Sequence, residues 1–145
     1  MRRIITGTDS DGRSCVVREV ELAPPGGGVD VKSIFRTRSS PPPARPGGRG
    51  ELMDLGVPPG ISHWVVSRWA PHEEEVFHHT DTLDFDLVVD GSIELVLDDG
   101  SHRLGAGDCV VVTGVDHAWR AGPEGCTMSV VVLGTPAPEV TPAPR

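Results

Sequence analysis

The sequence predicts an all-β domain, on three observations. The 145 residues include 18 Gly and 14 Pro and no helical stretch, a composition that favours strands joined by turns. Short β-branched segments recur at close spacing through 61–133, at 62–69, 84–89, 92–97, 109–112, 117–120 and 127–133. Between them stand turn signals: Val89-Asp90-Gly91-Ser92 and Asp98-Asp99-Gly100-Ser101 as tight hairpins, and Leu104-Gly105-Ala106-Gly107-Asp108 as a third reversal. Strands so spaced imply a sandwich or small barrel.

The remaining segments follow in order. Cys15-Val16-Val17-Arg18-Glu19-Val20 and Val29-Asp30-Val31-Lys32-Ser33-Ile34-Phe35 read as two strands joined by a Pro/Gly loop at a sheet edge. Residues 36–60 carry a proline-rich run with little to bury, which reads as a long loop able to act as a lid. The tail at 134–145 is Pro-rich and is expected to be extended and poorly ordered. The organisation expected is thus N-terminal strands and loop (1–60) packed on a barrel (61–133), then the tail (134–145).

Composition narrows the functions. A length of 145 residues suits one core. A net charge of −8 has the wrong sign for tracking phosphates, so nucleic acid is not an expected partner. No apolar run approaches the ~20 residues of a membrane span and the N-terminus lacks an apolar leader core, so a soluble, cytoplasmic chain with no membrane contact is expected. Cys15, Cys109 and Cys126 are odd in number, lack CxxC spacing and read as buried reduced thiols.

Chemistry concentrates in two segments. In the first, a histidine pair precedes a carboxylate and an apolar run ending in glycine: Phe77-His78-His79-Thr80-Asp81-Thr82-Leu83-Asp84-Phe85-Asp86-Leu87-Val88-Val89-Asp90-Gly91. In the second, Gly107-Asp108-Cys109-Val110-Val111-Val112-Thr113-Gly114-Val115-Asp116-His117-Ala118-Trp119-Arg120, a glycine-bounded strand leads to a histidine. On an unbroken strand His78, Thr80, Thr82, Asp84, Asp86 and Val88 share one face, and His79 points away unless 80–82 bulges. Trp119 shares parity with His117 and offers a flat wall. In 62–69, His63, Val65, Ser67 and Trp69 form one face and Ser62, Trp64, Val66 and Arg68 the other, and either could line a cavity. The run His72-Glu73-Glu74-Glu75 reads as a solvated turn, and His102 as a surface residue.

These segments resemble the two motifs of the cupin family, G-x5-H-x-H-x3-4-E-x6-G and G-x5-P-x-G-x2-H-x3-N. Asp84 and Gly91 keep the carboxylate-to-glycine spacing of the first, with Asp for Glu and one histidine in register; Gly107, Gly114 and His117 match the second, one residue short and with Ala121 at the Asn position. His78, Thr80, Thr82, Leu83, Asp84 and Phe85, with His117, Ala118, Trp119 and Arg120, look like a small bacterial cupin subgroup. The resemblance implies a single-domain jelly-roll barrel, commonly a homodimer. It also implies a divalent metal (Fe, Mn, Ni, Co or Zn) held by His78, Asp84 and His117. The alternative is that these histidines only hydrogen-bond within a polar barrel mouth.

The function so implied is a small-molecule enzyme acting on a carbonyl- or enol-containing metabolite, as a dehydratase, decarboxylase, isomerase or cyclase, or dioxygenase. Asp86 or His79 would move a proton in a pocket of Val65, Ser67, Thr80, Thr82, Val88 and Trp119. The opposing expectation is a metal-free cupin that binds a small ligand for sensing or storage.

Overall fold

The computed structural model describes residues 1–45 and 47–138. Among them nine strands and no α-helix occur: β1 (Arg2–Thr8), β2 (Ser14–Glu21), β3 (Glu51–Leu52), β4 (Ser62–Trp69), β5 (His78–His79), β6 (Thr82–Leu97), β7 (Gly100–Gly105), β8 (Cys109–Val112) and β9 (Ala118–Gly134). The main sheet runs β2-β1-β8-β6-β9-β4 with β7 attached to β6, while β3 and β5 form a small parallel pair. This is an all-β fold, as the sequence predicts. No helix among the described residues is long and apolar enough to cross a membrane.

Two long strands organise it. β6 and β9 pair antiparallel along most of their length, from Thr82↔Gly134 to Val96↔Ala118, with register shifts between Val88 and Asp90 and between Gly91 and Ile93. At these bulges the strands bend, so the sheet folds over and both halves face one core of Ile4, Val88, Ile93, Leu95, Leu104, Val110 and Met128. Gly91 sits at the corner with φ 75°, and a Cβ there would overlap the Gly125 carbonyl. Each large aliphatic side chain so buried contributes about 1.5–3 kcal/mol.

The corner corrects one expectation. Residues 89–92 are not a hairpin, because β9 bends opposite them and the ladder continues without reversing; for the same reason 118–120 and 127–133 lie in one strand, with His117 just before it. The other turns are present: β6 returns into β7 through Asp98-Asp99, and Asp108 N–H closes the next reversal on the Gly105 carbonyl at 3.0 Å.

The N-terminal region also differs. β2 pairs with β1, and no strand forms at 29–35. β1 is inserted between β2 and β8, parallel to the latter, with Ile4 and Thr6 buried. Phe35 instead packs on Phe85 with ring centroids 5.7 Å apart. The tail begins docked rather than loose: Gly134 ends β9, and buried Thr135 donates its N–H to the Asp81 carbonyl at 3.0 Å. Residues 139–145 lie outside the described residues. All three cysteines are free; Cys109 and Cys126 are buried, whereas Cys15 is only half-buried.

Candidate functional site

A cavity of about 310 Å³ opens between the inner faces of β4, β6 and β9. Strand alternation supplies the walls: His63, Val65, Ser67 and Trp69 from β4, Asp84 and Asp86 from β6, and Trp119, Met128, Val130 and Val132 from β9. Met53, Leu55 and Val57 close it from a strap that follows β3. Glu75, His78, Thr80 and His117 complete the lining.

The two histidines are held by backbone and ring together. His78 N–H donates to the His117 carbonyl at 2.9 Å and His117 N–H to the His78 carbonyl at 2.7 Å, which brings the ring centroids to 4.4 Å. Each Nδ1 lies 2.8 Å from a carbonyl two residues back, Val76 for His78 and Val115 for His117. A carbonyl only accepts, so each Nδ1 carries its proton and Nε2 is the ring nitrogen left free. Burial pushes the His117 pKa down to about 4, so at neutral pH its Nε2 is an acceptor. The Trp119 ring stands edge-on to His117, centroids 6.1 Å apart.

The carboxyls are raised instead. Desolvation lifts Asp84 to about 6, and lifts Asp86, with the Asp84 charge adding, well above the ordinary value. One oxygen on each, Asp84 Oδ1 and Asp86 Oδ2, has no hydrogen-bond partner. Neither the Arg68 nor the Arg103 side chain forms an ion pair with Asp86 among the described residues.

Glu75 joins them, which the sequence does not announce. The stretch 73–78 runs antiparallel beside the start of β9, with Glu75 N–H on the Trp119 carbonyl at 3.0 Å. This turns Glu75 inward from what reads as a solvated acidic turn. Its Oε2 is buried without a hydrogen-bond partner, 3.9 Å from His78 Nδ1, and burial raises its pKa.

Other expected residues fall elsewhere. His79 alternates to the opposite side of β5, where its Nδ1 lies 3.5 Å from the Asp116 carboxylate, so it is no proton carrier for this cavity. Asp116 also accepts the N–H groups of Arg49 at 2.7 Å and Gly50 at 3.0 Å, pinning the strap. Thr82 donates to the Thr80 hydroxyl and lines a separate hollow of about 430 Å³ on the far side of the strap. Val88 packs in the core next to the β6 corner and lines no part of the cavity. His102 bonds Asp99 at 2.7 Å on the β6–β7 turn.

A metal needs at least three donors around one point. Among the described residues no three His, Cys, Asp or Glu side chains are so arranged. The expected triad of His78, Asp84 and His117 brings two imidazoles together but does not converge on a third donor, so these residues do not fit the metal centre that the resemblance implies.

Fold and site together define an all-β domain with a cavity lined by imidazoles and buried carboxyls. No family model matches the chain. Among curated proteins it is similar to phomopsin biosynthesis cluster protein C' of Diaporthe leptostromiformis, 43% identical over 72 residues, and to phomopsin biosynthesis cluster protein D of the same species, 40% identical over 72 residues. Each match covers 46% of this chain and 38% of the relative, so the chain spans well under half the length of the curated relatives it matches. Among solved structures it is similar to a cupin-2 domain containing protein from Shewanella frigidimarina, with TM-score 0.44, 25% identity and coverage of 48% of this chain and 68% of that one. It is also similar to the polyketide cyclase RemF from Streptomyces resistomycificus, with TM-score 0.43, 25% identity and coverage of 50% and 56%.

Proposed function

We propose that the chain binds a carbonyl- or enol-containing metabolite in this cavity and moves protons on it with its own side chains. Dehydration, isomerisation and cyclisation of a carbonyl compound begin by removing a proton beside the carbonyl, and decarboxylation ends by returning one to the carbon that CO2 leaves. The observation that carries the reading is the burial of a neutral imidazole and unpartnered carboxyls in one mainly apolar cavity. The free Nε2 of His117 is the base, and Asp84, with the Asp86 carboxyl beside it, exchanges a proton near neutrality. The divalent metal is left out of the reading because its ligands do not converge. The relatives' names, proteins of biosynthesis clusters, support a place in specialised metabolism.

Binding without turnover is the second reading, favoured by the mainly apolar walls from Met53 to Val132. A homodimer is supported by Trp64, 74% exposed, and by Val66 on the outer face of the edge strand β4. The test of turnover is deuterium exchange at the α-carbon of a panel of aryl ketones, followed by NMR with chelator-treated protein. The expected result is exchange about 10²-fold above buffer, lost in His117→Gln and Asp84→Asn. No exchange above buffer, or exchange only after a divalent ion is added, contradicts it.

A further inference from the structure

The cavity is one-sided in charge. Glu75, Asp84 and Asp86 line it, close enough that Glu75 and Asp84 act on one another electrostatically, as do Asp84 and Asp86, and no lysine or arginine is among its lining residues. Each carboxyl presents a buried oxygen with no partner, and Asp84 and Asp86 are only 8% and 6% exposed. Three buried acceptors without a donor are costly unless a ligand completes them. The acceptor surplus extends to the imidazoles, whose Nδ1 protons are already spent on the Val76 and Val115 carbonyls.

The rest of the lining says what else the ligand carries. Trp69 of β4 and Trp119 of β9 both line the cavity, with Met53, Leu55, Met128 and Val130 adding apolar wall. Indole faces attract cations as well as apolar bodies, and an ammonium beside them is held by both charge and ring quadrupole.

We propose, building on the reading of this cavity as a small-molecule site, that its ligand carries a protonated amine on an apolar or aromatic body, the ammonium seated among Glu75, Asp84 and Asp86 and the body against Trp69 and Trp119. An anionic ligand would meet three carboxyls and no counter-charge. A neutral ligand would leave the acceptors partly unmatched.

Calorimetry on the full chain, with chelator present, tests this with three probes of one shape: 2-phenylethylammonium, 2-phenylethanol and phenylacetate. The ammonium is expected to bind about tenfold or more tighter than the alcohol, and phenylacetate most weakly. Glu75→Gln and Asp84→Asn should each weaken the ammonium several-fold and leave the alcohol unchanged. Equal or tighter binding of the alcohol or of phenylacetate overturns the amine preference while leaving the cavity a ligand site. Survival of the ammonium preference in the Glu75→Gln/Asp84→Asn/Asp86→Asn triple variant also overturns it, since the charge would then be held elsewhere. No binding of any probe overturns both the preference and the ligand site on which it is built.

Discussion

The two halves of β6 face the same interior and are built from opposite chemistry. Before the Gly91 corner the inward residues are Thr82, Asp84 and Asp86, all buried; after it they are Ile93, Leu95 and Leu97, equally buried. In the first half Asp84 and Asp86 face the cavity with oxygens that find no partner; the second half packs against Leu104 and Trp119. One strand thus carries a destabilising polar half and a stabilising apolar half, and the difference marks where function overrides packing.

The largest break in that contrast is in the apolar half. Leu95→Ala should lower unfolding free energy by about 2–5 kcal/mol in urea titrations, because it empties a position at 0% exposure. The same substitution should leave the order of probe affinities unchanged.

Acid tests the polar half. His117 has a folded pKa of about 4, below its ordinary 6.5, so as pH falls through that window the unfolded chain takes up a proton that the folded chain refuses, and stability is lost. Asp84 is shifted the other way, from 3.8 to about 6, so across roughly that window the folded chain takes up the proton first and stability is gained. His117→Gln should therefore make stability rise more steeply from pH 6.5 to 4, and Asp84→Asn less steeply. Each change is worth up to roughly 3 kcal/mol at about 1.4 kcal/mol per pKa unit. Parallel profiles for parent and both variants would show that these groups are not buried as described.

A smaller effect comes from the buried carboxyl itself. Asp86→Leu should raise stability by about 1–3 kcal/mol while abolishing proton exchange on ketones, because a buried acceptor without a partner is removed. Lower stability in this variant would mean that Asp86 is satisfied in solution. The smallest effect concerns the strap: Asp116→Asn keeps the shape but weakens the bonds to Arg49 and Gly50, costing about 1 kcal/mol and raising hydrogen exchange at 49–53.

Local patterns made much of this legible in the sequence. Alternation alone places His78, Thr80, Asp84 and Asp86 on one face of their segment, and the Asp-Asp-Gly turn sets β7 against β6. Non-local pairing was not legible. β1 enters the sheet parallel to β8, far along the chain, and no turn announces it. The bulges at 88–93 switch the inward parity of β6 from even to odd residues, so two apparent strands are one. Glu75 faces the cavity because 73–78 pairs with β9, and Met53, Leu55 and Val57 reach it because Asp116 and the β5 backbone hold the strap. Val88 was misplaced for the complementary reason: its parity is right, but the corner carries it into the core.

The central claim is that the cavity works with its own titrating groups, and metal content per chain tests it most directly, measured on untagged protein purified without chelator and again after incubation with divalent ions. The expected result is a content near zero in both preparations. Near-stoichiometric metal that is lost in His117→Ala and retained in His102→Ala would contradict it.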